Sequence, residues 1–212
     1  MNVNEKLYRE DGAKIADATY FRRLVGGLNC LSHTRLDISF SVRVVSRFMH
    51  NPSKLHLVAT KRILRYVVGT TNHGIWYSKE PSFMLTSFTD SDWVGDIENR
   101  QSTSGYVFNL GSGVISWCSK KQEVVALSTS EAEYIAATAA TCQVIWLRRL
   151  LSDLKQKQSG ATKIFGDNRS SIAMTKNPTF HSRSKHIDIR YHFIQTCVSS
   201  GQIVLKAYDT IE

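Results

Sequence analysis

The sequence has no run of about 18 apolar residues, the length that a membrane-spanning helix needs. Residues 1–20 are polar and carry charges of both signs, so no secretory signal is visible. We therefore expect an intracellular protein, cytoplasmic or nuclear, that is not secreted and has no membrane partner. Paired cysteine spacing is also absent, which argues against a disulfide framework or a zinc knuckle built from Cys30, Cys118, Cys142 and Cys197.

Acidic residues are scarce relative to basic ones in the first third of the chain. The net charge is +9, and residues 1–75 contain 12 Lys/Arg against 5 Asp/Glu, compared with 15 against 13 in the remainder. A concentrated positive segment suits a protein that holds the phosphate backbone of nucleic acid. A solvated surface without a ligand is the alternative reading of the charge alone. The candidate nucleic-acid-binding residues are Arg43, Arg47, Lys61, Arg62 and Arg65.

Residues 20–69 have the spacing of three amphipathic helices. The first two cover residues 20–31 and 38–49. The third begins at Asn51-Pro52, which offers an N-cap and a proline at the first helical position, and ends at Gly69. Its apolar stripe is expected to contain Leu55, Ala59 and Ile63.

The periodicity changes after residue 82. Short β-rich runs at 85–90, 105–110 and 114–117 predict three consecutive strands, and the last two form a hairpin. The order that follows is a helix at 130–154, a strand at 163–165, a short helix, a helical or irregular stretch at 181–200 and a strand at 203–208. This pattern predicts an α/β fold with a mixed sheet and helices packed on it, and the 42% hydrophobic content is ample for its core.

Asp90 and Asp167 each end a predicted strand, which is a common place for active-site carboxylates in α/β folds. If the first strand continued, Asp92 would share a face with Asp90. The alternatives remain open: Asp90 and Asp92 suit a turn before Gly95, and Asp167 suits a helix N-cap.

Glu133 gives a sharper signal than either aspartate. Steps of three and four residues from it reach an apolar stripe that must face the sheet: Ala136, Ala137, Ala140, Val144, Leu147 and Leu151. Glu131 is instead expected on a mixed face closer to solvent. Helix capping, Ser128 with Glu131 and Ser130 with Glu133, is the alternative.

We expect the three carboxylates, Asp90, Glu133 and Asp167, to converge on one point. Acidic groups held close together raise each other's pKa unless a cation joins them. Mg²⁺ prefers oxygen ligands of this kind and commonly acts on phosphate substrates.

The chain from about Tyr20 to Tyr208 resembles the ribonuclease H domain of copia-type LTR retrotransposon Pol polyproteins. The segments that carry this resemblance, in this order, are residues 89–93, 100–106, 115–122, 130–134, 167–168, 176–178 and 185–193. The preceding helices resemble the thumb or connection segment after a reverse transcriptase. The polymerase's own paired aspartates are absent, so we expect no DNA synthesis.

This resemblance implies two domains: a basic helical segment at 1–75 and a ribonuclease H-like domain at 83–212. It implies a five-stranded mixed sheet whose first three strands are antiparallel, flanked by helices, and hydrolysis of RNA in RNA–DNA hybrids. Asp90, Glu133 and Asp167 would be catalytic residues and ligands of two Mg²⁺ or Mn²⁺ ions roughly 4 Å apart. The hybrid would be recognised by groove shape and 2′-hydroxyls, and the rest of a Pol polyprotein is a further expected partner.

The sequence departs from the family at its C-terminus. The final helix and the fourth carboxylate, an Asp after Ala at a helix start, are missing, and neither Asp209 nor Glu212 stands in that motif. We therefore expect weak or absent metal-dependent turnover in this chain alone. The rival hypothesis is a non-catalytic remnant that binds nucleic acid. His181 and His186 are weak candidates for a role in product release, and surface or hydrogen-bonded core histidines are the default interpretation.

Overall fold

Helices and strands segregate into two units of the chain, Met1–Ile75 and Trp76–Glu212, in a computed structural model that describes residues 7–79, 83–96, 99–174 and 185–208. Within the described ranges, no helix combines the length and the apolar character that crossing a bilayer requires.

The first unit contains three helices: α1 (Ala18–Leu31), α2 (Leu36–Ser46) and α3 (Lys54–Gly69). Helix α1 begins where the Asp17 carboxylate accepts the N–H groups of Thr19 at 2.9 Å and Tyr20 at 3.1 Å. The three helices close on one apolar core, whose fully or almost fully buried members are Phe21, Val25, Leu28, Ile38, Val42 and Val45.

The start of α3 and one member of its predicted buried face differ from the sequence prediction. Ser53, not Asn51, is the N-cap: its Oγ accepts the His56 N–H at 3.3 Å, and its own N–H donates to His56 Nδ1 at 2.9 Å. His56 Nε2 lies 2.9 Å from the carbonyl oxygen of Tyr8, so both ring nitrogens have partners and the imidazole is fully buried. The other two predicted members of the apolar stripe are buried as expected, whereas Leu55 is half exposed.

The second unit is built on a sheet with the strand order β3-β2-β1-β4-β5. Its elements are β1 (Leu85–Asp96), β2 (Gln101–Leu110), β3 (Gly113–Lys121), α4 (Thr129–Asp153), β4 (Thr162–Gly166), α5 (Arg169–Met174), α6 (Lys185–Ser199) and β5 (Ile203–Ala207). Strands β1, β2 and β3 are antiparallel, whereas β4 pairs in parallel with both β1 and β5. The predicted fold class, a ribonuclease H-like mixed sheet with helices, is confirmed.

Helix α4 covers one face of this sheet, and the apolar stripe predicted from Ala136 to Leu151 is buried as expected. Four strands contribute one buried side chain each to the core beneath it: Leu85, Phe108, Ile164 and Ile203. Glu133 lies one turn before this stripe, so the packing of α4 fixes the direction of the carboxylate.

Candidate metal site and nucleic-acid surface

Asp90 lies within β1, opposite Gly105 of β2. The strand continues past it to Asp96, so the alternative of a turn at Asp90 and Asp92 is wrong. Extended pairing with β2 holds the backbone at Asp90 in place, and its side chain is exposed. A rigid strand is a precise support for a ligand.

Glu133 belongs to the second turn of α4, and its side chain is only 7% exposed. Its Oε1 accepts the backbone N–H of Ser91 at 2.8 Å, which ties the helix to the residue after Asp90. The capping role belongs to Ser128, whose Oγ accepts the Glu131 N–H at 3.1 Å. Glu133 is therefore not a capping residue.

Asp167 directly follows β4 and is exposed. Asn168, not Asp167, caps the short helix α5, because its Oδ1 accepts the Ser171 N–H at 2.9 Å. The Asp167 carboxylate is consequently not engaged as an N-cap.

The three side chains meet at one place. One carboxylate oxygen from each of Asp90, Glu133 and Asp167 lies within 4.8 Å of the other two. Strand β1, helix α4 and the end of β4 therefore deliver to a single point the residues that the sequence singles out.

The surroundings make ionisation of Glu133 unfavourable. Burial, followed by the negative charges of Asp90 and Asp167, raises the pKa of Glu133 to about 7, and the hydrogen bond from Ser91 N–H only partly offsets this. A divalent cation would favour the ionised form, because it adds positive charge beside all three carboxylates. The donor set is entirely carboxylate oxygen, which fits Mg²⁺ or Mn²⁺.

Two other acidic residues of the same sequence stretches do not join the cluster. The Asp92 carboxylate accepts the backbone N–H of Thr103 across the β1–β2 pair. Glu131 is 6% exposed, and its Oε2 accepts the Leu127 N–H at 2.9 Å. The expectation that Glu131 lies closer to solvent is wrong, because this bond folds its side chain back over the start of α4.

Tyr208 is a site neighbour that the sequence reasoning missed. Its N–H donates to Gly166 O at 3.2 Å, and its ring meets Phe88 edge-on at 6.1 Å. Burial, and then the charges of Asp167, Asp90 and Glu133, raise the pKa of its phenol. Parallel pairing of β4 with β5 could have revealed it, since the residues that follow the two strands must be neighbours.

The basic candidates of the first unit lie on two helices. Arg43 is exposed on α2 and Arg47 follows that helix, half-buried. On α3, Lys61 and Arg65 are exposed four residues apart on one face, and Arg62 beside them is half-buried. We call these five side chains together the basic surface of α2 and α3; their charge suits phosphate, and both their grouping on one face and their role in binding remain predictions. His181, Asp209, Glu212 and the His186 side chain lie outside the described residues.

No family model matches the chain. The chain is 43% identical over 203 residues to the retrovirus-related Pol polyprotein from transposon RE1 of Arabidopsis thaliana, covering 96% of this chain and 14% of that protein. It is 41% identical over 203 residues to the retrovirus-related Pol polyprotein from transposon TNT 1-94 of Nicotiana tabacum, covering 96% and 15%. The chain thus spans about a seventh of the length of these relatives.

Among solved structures, the foamy viral protease-reverse transcriptase in complex with dsDNA is similar in fold. The TM-score is 0.62 at 11% sequence identity, and the match covers 99% of this chain and 40% of that one.

Proposed function

Because the chain belongs to the Pol polyproteins of copia-type retrotransposons, we propose that Trp76–Glu212 is a ribonuclease H that hydrolyses RNA in RNA–DNA hybrids. The single observation that carries this proposal is the convergence of Asp90, Glu133 and Asp167 within 4.8 Å of one another. The preceding unit would correspond to a reverse-transcriptase thumb or connection segment.

Asp90, Glu133 and Asp167 would hold Mg²⁺ or Mn²⁺, two ions in a complete site. Bound ions supply an activated water molecule and neutralise the charge that develops on the phosphate. The Ser91 N–H orients Glu133, and β1 and β4 hold the two aspartates at the rim, where a phosphate backbone can approach. Within the described residues the cluster contains three carboxylates.

The basic surface of α2 and α3 would contribute contacts to the phosphate backbone. The foamy viral protein of similar fold has been solved with dsDNA, which supports nucleic acid as the partner. Binding by Arg43, Lys61 and Arg65 would be largely independent of base sequence and steeply dependent on salt.

The test compares the purified chain with Asp90→Asn and with Asp153→Asn as a matched control, since Asp153 is exposed on α4 away from the cluster. We expect slow, metal-dependent cleavage of a labelled hybrid by the original chain and by the control, and none by Asp90→Asn. Hybrid affinity measured in EDTA should agree within about twofold among the three proteins, because the phosphate contacts are unchanged. Cleavage that survives Asp90→Asn would contradict the assignment of the site.

A second function is favoured by the concentration of Lys/Arg in residues 1–75, 12 against 5 Asp/Glu. In this alternative the chain binds nucleic acid without cleaving it. Salt-dependent hybrid binding with no cleavage in either Mg²⁺ or Mn²⁺ would favour the binding function over the enzyme.

A further inference from the structure

The far end of α4 carries a cationic cavity that the proposed nuclease does not use. The cavity has a volume of about 260 Å³, and its polar lining consists of Arg148, Arg149, Ser152, Lys157, Gln158 and Gln202. Glu133 and Arg148 are 15 residues apart on α4, so about 22 Å along the helix separates the cavity from the carboxylates. We propose that this cavity is a binding site for a phosphate group.

Its charge is not balanced by the protein. No ion pair joins Arg148, Arg149 or Lys157 to a carboxylate in the described part of the chain. Asp153 stands four residues after Arg149 on α4 and still makes no ion pair with it. Three cationic side chains line this one cavity, so each of them would attract an anion that enters it.

The cavity is also held in shape before any ligand arrives. Arg148 donates from Nη1 to Gly160 O at 2.7 Å and to Thr162 Oγ1 at 2.9 Å, and from Nη2 to Gln158 O at 3.3 Å. The Gln158 side chain accepts the Leu85 N–H at 2.9 Å and donates to Phe83 O at 2.8 Å. These bonds fix the loop after α4 against the start of β1, so the lining needs little reorganisation on binding.

Arg148 keeps capacity for a ligand after these bonds. Three of its five N–H donors are used within the described residues, and burial lowers the pKa of its guanidinium. A guanidinium with free donors matches phosphate geometry. Arg149, Lys157 and Ser152 also line the cavity and have further donors.

The negative end of α4 does not oppose this assignment strongly. Its last carbonyls, those of Leu150, Leu151 and Ser152, accept the N–H groups of Leu154, Gln156 and Lys155. Their partial charges are therefore already paired.

The volume of the cavity is below the range of about 300 to 1,000 Å³ that drug-sized ligands occupy. This size suits a phosphate group better than a whole nucleoside.

Phosphate of this kind could come from a small phosphate ester or from a nucleic-acid backbone, and the experiment separates these sources. The full chain in EDTA is titrated with inorganic phosphate, and separately with a short oligothymidylate that lacks a terminal phosphate, while NMR follows the side-chain amides of Gln158 and Gln202. We expect saturable shifts with a Kd of about 1 mM or tighter for at least one probe. Saturation by phosphate alone identifies a small ester, and saturation by the oligonucleotide identifies a phosphodiester.

The decisive variant is Arg149→Gln/Lys157→Gln, since both side chains are exposed and neither supports the loop. It should weaken binding about tenfold, which equals about 1.4 kcal/mol. The matched control, Lys163→Gln/Lys206→Gln, removes the same amount of charge from the sheet, and its Kd should stay within about twofold of the original value. A second variant, Arg149→Lys/Lys157→Arg, keeps the charge of the cavity and should retain binding.

The proposal would be overturned if neither probe saturates the shifts at concentrations up to about 20 mM. It would also be overturned if Arg149→Gln/Lys157→Gln and the control Lys163→Gln/Lys206→Gln weaken binding equally. Because EDTA removes metal and the readout is local to the cavity, the result does not depend on whether the carboxylates catalyse hydrolysis.

Discussion

Replacing Glu133 with Gln should stabilise the metal-free protein at high pH. Glu133 is buried beside two other carboxylates, and its pKa rises from the ordinary 4.5 to about 7 on folding. The folded chain therefore holds this proton more tightly than the unfolded chain does. Its contribution to stability is fully present below pH 4.5 and is lost as the pH rises through about 7.

The size of the stability loss follows from the rise of the Glu133 pKa from 4.5 to about 7. At about 1.4 kcal/mol for each pKa unit, the upper limit of the loss at pH 8 is about 3 kcal/mol. Solvent reaches the site through the exposed Asp90 and Asp167, and screening reduces the expected value to about 1 to 2 kcal/mol. Glu133→Gln removes the ionisation while its amide oxygen can still accept the Ser91 N–H. The variant should be only slightly more stable than the original chain at pH 5, where little of the loss has occurred, and should exceed its free energy of unfolding by that amount at pH 8.

Urea unfolding in EDTA, followed by tryptophan fluorescence, measures this difference. All four tryptophans, Trp76, Trp93, Trp117 and Trp146, belong to the second unit, so the signal reports the unit that contains Glu133. At each pH the free energy of unfolding of the original chain is subtracted from that of the variant. The contributions of other groups that titrate in the same pH range are the same in both proteins and cancel. Adding Mg²⁺ or Mn²⁺ should then stabilise the original chain more than the variant.

Glu123→Gln is the control, since the Glu123 side chain is exposed and forms an exposed ion pair with Lys120 at 3.1 Å. It should change stability by less than about 0.5 kcal/mol at both pH values. Equal destabilisation by Glu133→Gln at pH 5 and pH 8, or equal stabilisation of both proteins by metal, would refute the reasoning.

Three further changes test other parts of the structure. Lys61→Gln/Arg65→Gln should lower affinity for an RNA–DNA hybrid and reduce the slope of log affinity against log salt by about 2, in a filter-binding series; an unchanged slope would exclude these side chains from the interface. Phe108→Ala, at a fully buried core position, should cost about 3 to 5 kcal/mol in urea unfolding, and a loss below about 1 kcal/mol would contradict the packing described. Ser53→Ala should cost about 1 to 2 kcal/mol by removing the N-cap of α3, seen as faster hydrogen exchange in its first turn; unchanged exchange would mean that the cap is dispensable.

The sequence could predict the sheet and the direction of Glu133 because both depend on hydrophobic periodicity. The apolar stripe of α4 packs against the sheet, and Glu133 lies on the same side of the helix as that stripe. Asp167 follows from the tendency of functional groups to lie just after a parallel strand. The same rule singles out Asp90, although β1 continues past it to Asp96.

Features that depend on side-chain hydrogen bonds could not be predicted in this way. Glu131 is buried because it reaches back to the Leu127 N–H, and His56 is buried because both of its nitrogens have partners. Asn168 is the N-cap of α5, although Asp and Asn are equally favourable N-cap residues and Asp167 is the alternative that the sequence predicts. In each case two polar residues of similar propensity compete, and tertiary contacts decide between them.

The position of β4 has a consequence for when the acidic cluster comes into being. This strand inserts between β1 and β5 and pairs in parallel with each. Parallel contacts between remote segments form slowly, because loop closure must precede any gain from pairing. Asp167 directly follows β4, so it reaches the other two carboxylates only after β4 has paired. A polypeptide that is still emerging from the ribosome would therefore lack the proposed metal site. Divalent metal should accordingly bind the finished sheet and favour its completion, instead of guiding the earlier steps of folding.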